Sequence, residues 1–212
     1  MRGLRSPHDK AIFALALPAL GSLVADPLLS LVDTAFVGRL GADALAALGI
    51  SAAVFGVAFF IFNFLEYGTT TEVAKAVGSG DIDGAGRSVV TSLGLAVVAG
   101  VGVATVLIMS SGWLVGAFGA TGGVATSAAA YVGIRALAAP AVLVVRAANG
   151  AFRGFQNTRT PMVVALGANA VNLVLDPLLI FGFGWGIEGA AWATVIAQWA
   201  AAGWFLVERR DA

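Results

Sequence analysis

The chain has 212 residues, of which 59% are hydrophobic and only 11% charged, and its mean hydropathy is +0.92. A soluble domain carries about 25% charged residues, so this composition excludes a soluble globular protein and indicates an integral membrane protein. Twelve basic and twelve acidic residues balance, and nothing in that balance indicates a nucleic-acid partner. There is no cysteine, and the only histidine is His8 in the polar N-terminal arm. Disulfides, thiolate metal sites and histidine chemistry inside the membrane are therefore excluded.

Hydrophobic segments separated by polar or glycine-rich turns predict an all-α bundle of six transmembrane helices. The first segment is too long for the core of a signal peptide. The second continues as a helix through Glu66 to Lys75 and projects beyond the bilayer. Glycines at 112 and 119–123 divide the long uncharged stretch after Arg87 into spans three and four. The predicted spans are residues 11–36, 44–75, 89–110, 124–152, 161–184 and 189–207.

The distribution of Lys and Arg over the short loops predicts the orientation of these spans. With six spans, both termini lie on the same side as the loop between spans two and three and the loop between spans four and five. The opposite side carries only Arg39. We therefore expect a multi-pass protein of the cell membrane with both termini in the cytoplasm. The basic residues on the predicted cytoplasmic side are Arg2, Arg5, Lys10, Lys75, Arg87, Arg153, Arg159, Arg209 and Arg210.

Span five contains a buried acid, Asp176, which is the only charged residue in 161–184. A carboxylate at the centre of a spanning helix costs roughly 2.5 to 3.5 kcal/mol, so it is expected to face protein or water and to be functional. Asn172 lies four residues earlier, on the same helical face. Pro177 leaves the Leu173 carbonyl without its helical partner. This set of oxygens suits a proton or a hard cation, although the acid and the amide could also form a purely structural hydrogen bond.

Counting residues from the span ends at ~1.5 Å per residue places further polar side chains at similar depth. Asp26 in span one and Asp176 in span five both lie about 22 Å up a core of about 30 Å. Asp33 follows Asp26 by two helical turns on nearly the same face. Tyr131 in span four and Thr194 in span six lie roughly 10 Å in from the other side. We therefore predict that these side chains converge in the outer half of the membrane.

The supporting residues of this predicted site allow more than one reading. Arg135 falls near the midplane, as a counter-ion for Asp26 or Asp33. Asp26 and Pro27 repeat the Asp-Pro-Leu-Leu of span five, and they form either a second functional kink or a structural one. Asp33 could instead cap the outer end of span one near Arg39. Tyr131 and Thr194 could be ordinary packing residues, since Tyr favours interfaces and Thr bonds to helix carbonyls.

Other polar features are interpreted as structural. Glu66 is predicted to reach the membrane interface in preference to lining a path through the lobe, and Arg146 to reach the cytoplasmic side. The GxGxxG of 184–189 follows no strand, and the GxGD of 78–81 lies in a polar turn without a second aspartate at depth. No nucleophile–base pair or metal cluster stands at membrane depth, so an enzyme is not expected. A row of small residues in span three predicts close helix packing, namely Ser92, Ala96, Gly100 and Ala104.

Four motifs carry a resemblance over nearly the whole chain. They are LVDTAFVGRLG at 31–41, GFQNTRTP at 154–161, NLVLD at 172–176 and GAAWAT at 189–194. In this order they resemble the multidrug and toxic compound extrusion (MATE) transporters, specifically the DinF-like branch. The resemblance implies an antiporter that exports organic or cationic drug-like compounds by secondary active efflux. Its cavity would open outward between two six-helix lobes, and no cofactor beyond the coupling ion, H⁺ or Na⁺, would be needed.

The resemblance also implies where the coupling ion binds. Cation coupling would reside in the N-terminal lobe, on five residues of this sequence, with Na⁺ as an alternative to a proton at the two acids and the amide. The implied coupling residues are Asp33, Tyr131, Asn172, Asp176 and Thr194.

The family pattern has twelve helices in two pseudo-symmetric halves, whereas this sequence ends after the sixth predicted span. Residues 1–212 would be the N-terminal lobe alone, either a fragment of a longer protein or a half-transporter that pairs with itself or with a separate second lobe. A lobe that makes structural or other interactions without transport is the alternative function. The exported compound, the choice between H⁺ and Na⁺ and the oligomeric state stay open at this stage.

Overall fold

The described part of the chain, residues 9–208 of a computed structural model, is a helical bundle without strands. Several side chains of the first helix lie outside the described part, including that of Asp26. A π-helical turn, Leu178–Gly182, directly follows the seventh α-helix. The α-helices are α1 (Asp9–Gly38), α2 (Ala42–Phe60), α3 (Asn63–Gly78), α4 (Ile82–Ala117), α5 (Gly122–Ala136), α6 (Ala139–Gly154), α7 (Arg159–Pro177) and α8 (Gly186–Glu208).

Five helical segments of the described residues have the length and apolar character of membrane spans. Four are continuous or nearly so: α2 with α3, α4, α7 with the π-helical turn, and α8. The fifth is α5 with α6, which are bent by 51° relative to each other. The 30-residue α1 is not among these five, and part of its side chains are not described. Together with α1, the five segments correspond in order to the six predicted spans.

Two spans that we predicted as single helices are each interrupted. The second breaks between α2 and α3, where the N–H of Phe62 bonds to the carbonyl of Phe59 in a tight turn. The fourth breaks between α5 and α6, and Pro140 stands in the first turn of α6. Proline is favoured there because its missing N–H would have no partner at a helix start. Each of these two spans is therefore built from two consecutive helices.

The bundle has a small-residue core and an apolar surface, as expected for a protein that is solvated by lipid. Met109, Phe60 and Trp113 point outward with exposed fractions of 84%, 75% and 74%. Helix α6 is the most enclosed element and packs against α3, α4 and α8. Its buried residues are mainly small: Ala139, Ala141, Leu143, Val144, Ala147, Ala148, Gly150, Ala151 and Gly154.

Glycines allow α6 to approach its neighbours backbone to backbone. A Cβ at Gly150 would lie 2.4 Å from the carbonyl oxygen of Glu66, and one at Gly154 would lie 2.7 Å from Val73 Cβ. Both glycines therefore face α3, at the four-residue spacing typical of closely packed membrane helices. On the α4 side, a Cβ at Gly100 would lie 2.4 Å from Pro140 Cα. The predicted close-packing row of span three thus meets the start of α6.

Replacing Gly150 with valine is expected to destabilise the lobe, because the α3 backbone has no room to retreat. Overpacking of this kind costs about 1–3 kcal/mol. The melting temperature and the yield of monodisperse protein in detergent should both fall. Gly102→Val is the matched control, since nothing lies within 4 Å of a Cβ at Gly102. Equal stability of the two variants would contradict this account of the α3–α6 contact.

The turn between α6 and α7 is built by the 154–161 motif. Gln156 adopts a left-handed conformation with φ 60°, and the N–H of Asn157 bonds to the carbonyl of Phe152 at 2.8 Å. The Asn157 side-chain oxygen then accepts from the backbone N–H groups of Arg159 and Thr160, both at 3.1 Å. These bonds satisfy donors at the start of α7. The motif therefore fixes where α7 begins, and with it the height of the residues further along α7.

Candidate functional site

Two acids lie side by side inside the lobe. Asp176, in the last turn of α7, is completely buried, and the Asp33 carboxyl of α1 is its neighbour. One oxygen of each acid, Oδ1 of Asp33 and Oδ2 of Asp176, is buried without a hydrogen-bond partner. Buried acceptors almost always have a donor or a cation beside them. The pair therefore has unused capacity to bind a proton or a cation.

An amide and a hydroxyl extend this pair toward α8. Nδ2 of Asn172 lies 3.5 Å from Oδ1 of Asp176 and donates to Oγ1 of Thr194 at 3.3 Å. The Thr194 hydroxyl in turn donates to the carbonyl of Ala190 at 3.0 Å. The contact to Asp176 is long for a hydrogen bond. The amide therefore helps to position the Asp176 carboxyl but leaves most of its hydrogen-bonding capacity unused. Asn172 and Asp176 share a face of α7 because they are four residues apart.

The local backbone explains why Asp176 ends up so deep. Helix α7 ends at Pro177, and the chain continues directly into the wider π-helical turn Leu178–Gly182. A Cβ at Gly189 would lie 2.7 Å from the Leu179 backbone carbon, so the start of α8 rests directly on that turn. This contact brings Thr194, one and a half turns further along α8, beside α7. Wide turns of this type are frequent at functional sites.

A cavity of about 680 Å³ opens beside this cluster, between α1, α2, α5, α7 and α8. We call it the Asp33 cavity. Four of the five residues implied as coupling residues line it: Asp33, Tyr131, Asn172 and Thr194. Asp176 lies directly behind them. Tyr131 is 5% exposed and interacts with the Thr194 hydroxyl, so residues from four helices meet at this cavity.

Of the four supporting residues, Pro177 and Arg135 lie at the site among the described side chains. The side chain of Asp26 lies outside the described residues. Pro27 is an exposed residue within α1, which continues as a helix through it. Arg135 lines the Asp33 cavity, but within the described part of the chain it forms no ion pair. Its guanidinium carbon instead lies 5.0 Å from the centre of the Phe55 ring, a cation–π contact.

Glu66 and Arg146, which we predicted to reach the membrane interface, have partners within the lobe. Glu66 forms an ion pair and hydrogen bond with Arg153, and its side chain is only 16% exposed. Arg146 donates to the side-chain oxygen of Asn63. Both groups find partners across the close α3–α6 contact, which satisfies them inside the lobe and removes the need to reach water.

Two residues of the site with side-chain amides were missed by the sequence reasoning. Asn169 and Gln198 both line the Asp33 cavity. Their spacing carries the signal, because Asn169 precedes Asn172 by three residues and Gln198 follows Thr194 by four, so each shares a helical face with a residue of the site. The reasoning singled out charged groups and motif positions and passed over neutral amides.

Comparison with known proteins relates this arrangement to one family. The profile of the MatE family matches residues 18–178. Protein DETOXIFICATION 44, chloroplastic, of Arabidopsis thaliana is 42% identical over 200 residues, which are 89% of this chain and 38% of that protein. DNA damage-inducible protein F of Escherichia coli is 35% identical over 91% of this chain and 42% of its own length. The probable multidrug resistance protein NorM of Thermotoga maritima is 33% identical over 92% and 43%.

Solved structures agree with the sequence comparisons. A MOP superfamily transporter from Pyrococcus furiosus superposes with a TM-score of 0.90 at 29% identity, over 99% of this chain and 47% of that one. An outward-facing multidrug resistance MATE family transporter superposes with a TM-score of 0.89, over 96% and 46%. The chain therefore spans about half the length of the transporters it matches, and its helices have the arrangement of one lobe of them.

Proposed function

Because the chain belongs to the MATE family of multidrug efflux transporters, we propose that it is the cation-coupling lobe of a secondary active antiporter. The observation that carries this proposal is the Asp33–Asp176 pair, with one buried unpartnered oxygen on each acid. A bound proton or Na⁺ would satisfy both oxygens. The carboxyl, amide and hydroxyl groups of the site are of the kinds that bind a proton or a hard cation, which supports this proposal.

Coupling follows from the charge of this pair. Two ionised carboxyls side by side in a poorly solvated site repel each other, so the empty site favours uptake of a proton or cation. Asn172 and Thr194 would hold the pair in position during uptake, and oxygen ligands of this kind suit either H⁺ or Na⁺. Uptake removes the repulsion between α1 and α7. The two helices therefore prefer different arrangements in the loaded and empty states, and transport requires such a difference.

The Asp33 cavity would form the lobe's share of the substrate cleft. We propose that a second six-helix lobe, in the same polypeptide or as a separate chain, supplies the other wall. The substrate would be an organic or cationic small molecule, since clefts of this volume bind compounds of that size. One relative is named a multidrug resistance protein and another an FAD transporter, and both names refer to organic compounds, which supports this proposal. We place the protein in the cell membrane with both termini in the cytoplasm.

Substrate transport in proteoliposomes under imposed gradients tests this function. The two-lobe transporter is reconstituted, and movement of a fluorescent organic cation is followed under a pH gradient, under a Na⁺ gradient and with both dissipated. We expect accumulation against the substrate gradient with one of the two ions and none when both gradients are absent. Transport that is indifferent to both gradients would exclude secondary coupling. Absence of any transport by folded protein would favour the non-transporting structural lobe.

A further inference from the structure

A second polar cavity, of about 450 Å³, lies next to the Asp33 cavity, toward the end of the lobe that carries the α6–α7 turn. We call it the Arg146 cavity. Arg146, Arg153 and Glu66 line it, together with Asn63 and other residues of α3, α6, α7 and α8. The end it faces is the predicted cytoplasmic one. The lobe thus contains two neighbouring cavities that share lining residues.

Only a thin layer of side chains separates the two cavities. Four residues line both of them, Arg135 from α5, Ala168 and Asn169 from α7, and Gln198 from α8. We call these four the septum. Three of the four are polar, and Nδ2 of Asn169 is buried without a partner. A polar partition between two polar cavities is a place where water and small ions could cross the lobe, unlike a layer of packed apolar side chains.

The charge of the septum opposes the passage of cations. Arg135 is permanently charged and pairs with no described carboxylate, so its charge is not neutralised by direct contact. The Phe55 ring holds the guanidinium at 5.0 Å, which fixes its position and leaves the charge in place. The two arginines of the Arg146 cavity have other partners, since Arg153 pairs with Glu66 and Arg146 donates to Asn63, and neither belongs to the septum. Fixed positive groups in a narrow passage exclude cations.

The barrier should also depend on the state of the acid pair. Arg135 lies within electrostatic reach of Asp176 and Tyr131 on the far side of the septum. When the two acids are ionised they offset part of its charge. When a proton or cation neutralises them, Arg135 is left uncompensated and the repulsion is at its strongest. This is the state in which a bound ion could otherwise leak toward the Arg146 cavity.

We propose that Arg135 is the ion barrier of this lobe, a coupling-determining residue that prevents the ion at Asp33 and Asp176 from crossing the septum. The proposal rests on the proposed function, because it assumes that these acids bind the coupling ion. The ion must then leave by the cleft through which it entered, once the lobes have rearranged. Tight coupling would be lost without the charge at position 135.

Ion leak without substrate tests the proposal. Two-lobe transporter carrying Arg135→Gln is reconstituted, and H⁺ and Na⁺ entry driven by an inside-negative potential is measured with no substrate present. We expect leak of the coupling ion to rise about tenfold or more over wild type, as removal of a nearby like charge implies. Arg135→Lys should stay close to wild type. Arg146→Gln is the matched control, since it removes an arginine that does not belong to the septum.

Two comparisons separate this proposal from the proposed function. Loss of coupled efflux in Asp176→Asn supports the function whatever Arg135→Gln does. A folded Arg135→Gln protein with wild-type leak would overturn the barrier. Equal leak in Arg135→Gln and Arg146→Gln would equally overturn the assignment to the septum.

A second measurement keeps the proposal testable where Arg135→Gln does not fold. This chain has no cysteine, so Gln198→Cys places a single thiol of this lobe in the septum while Arg135 is retained. From the side of the α6–α7 turn, a cationic thiol reagent should react about tenfold more slowly than an anionic reagent of similar size, because Arg135 repels it. Equal rates for the two reagents would overturn the barrier.

Discussion

Asp176→Asn is expected to reduce gradient-driven efflux to the level of empty vesicles while the protein still folds. Asparagine keeps the shape of the side chain, which matters at a completely buried position. Its side-chain oxygen can still accept the hydrogen bond from Asn172. It cannot take up a proton or neutralise a cation. The measurement is the efflux rate of the two-lobe transporter under the driving gradient, alongside its melting temperature and its elution profile.

Glu188→Gln is the matched control for this variant. Glu188 is an exposed acid in the first turn of α8, so the substitution removes the same charge from the same end of the lobe without touching the Asp33 cavity. It should transport like wild type. If Asp176→Asn retains full transport, Asp176 is not the coupling acid. If its folded yield collapses, the buried acid has a structural role.

The part of the site carried by one helix could be predicted from the sequence. Asn172 and Asp176 share a face of α7 whatever surrounds it, because a spacing of four residues is nearly one helical turn. Depth counting placed Asp26 at the height of Asp176 and Asp33 two helical turns further along, whereas in the structure Asp33 is the neighbour of Asp176. Counting at ~1.5 Å per residue finds the general level of a side chain, but the span ends are assumed and a tilted helix shifts every height. It therefore cannot choose between two acids that lie seven residues apart on nearly the same face of α1.

The interruptions of the spans could be predicted only in part. Pro140 explains in the sequence why a new helix begins at α6. The break before Asn63, in contrast, has no proline or glycine next to it. The loss of the hydrogen bond to the Leu173 carbonyl at Pro177 likewise predicts a helix interruption, but it does not predict the wider π-helical turn that follows. Such details depend on what packs alongside, as Gly189 does against Leu179. The sequence does not specify these contacts in advance.

The side-chain directions of Glu66 and Arg146 show the same limit. A charged group near the end of a span reaches water by default, and that rule did not anticipate the partners that both groups have in the structure. Gly150 and Gly154 bring α3 and α6 so close that Glu66 meets Arg153, and Arg146 meets Asn63. The glycine spacing was present in the sequence, but it does not say which helix lies opposite. Only the folded structure shows that α3 and α6 lie opposite each other.

Removing both Asp33 and Asp176 is expected to be no worse than removing one, because groups that act as a unit give non-additive losses. Efflux itself cannot report this once either variant has lost it. The suitable measurement is substrate affinity in the presence and absence of the coupling ion, since the ratio of the two Kd values is the coupling between the sites. With Asn at either position, the ratio should fall to about 1 and should stay there in the double variant.

The single variants decide between one shared site and two separate ones. In a shared site the remaining acid has lost the neighbour whose repulsion favoured ion uptake, so little coupling should survive. If each acid instead bound its own ion, each single variant would keep part of the coupling and only the double variant would lose all of it. Asp33 combined with Glu188 provides the comparison pair, because Glu188 lies outside the Asp33 cavity and its loss should add nothing to that of Asp33. Residual coupling in both single variants would therefore mean that the neighbouring carboxyls of α1 and α7 belong to separate sites.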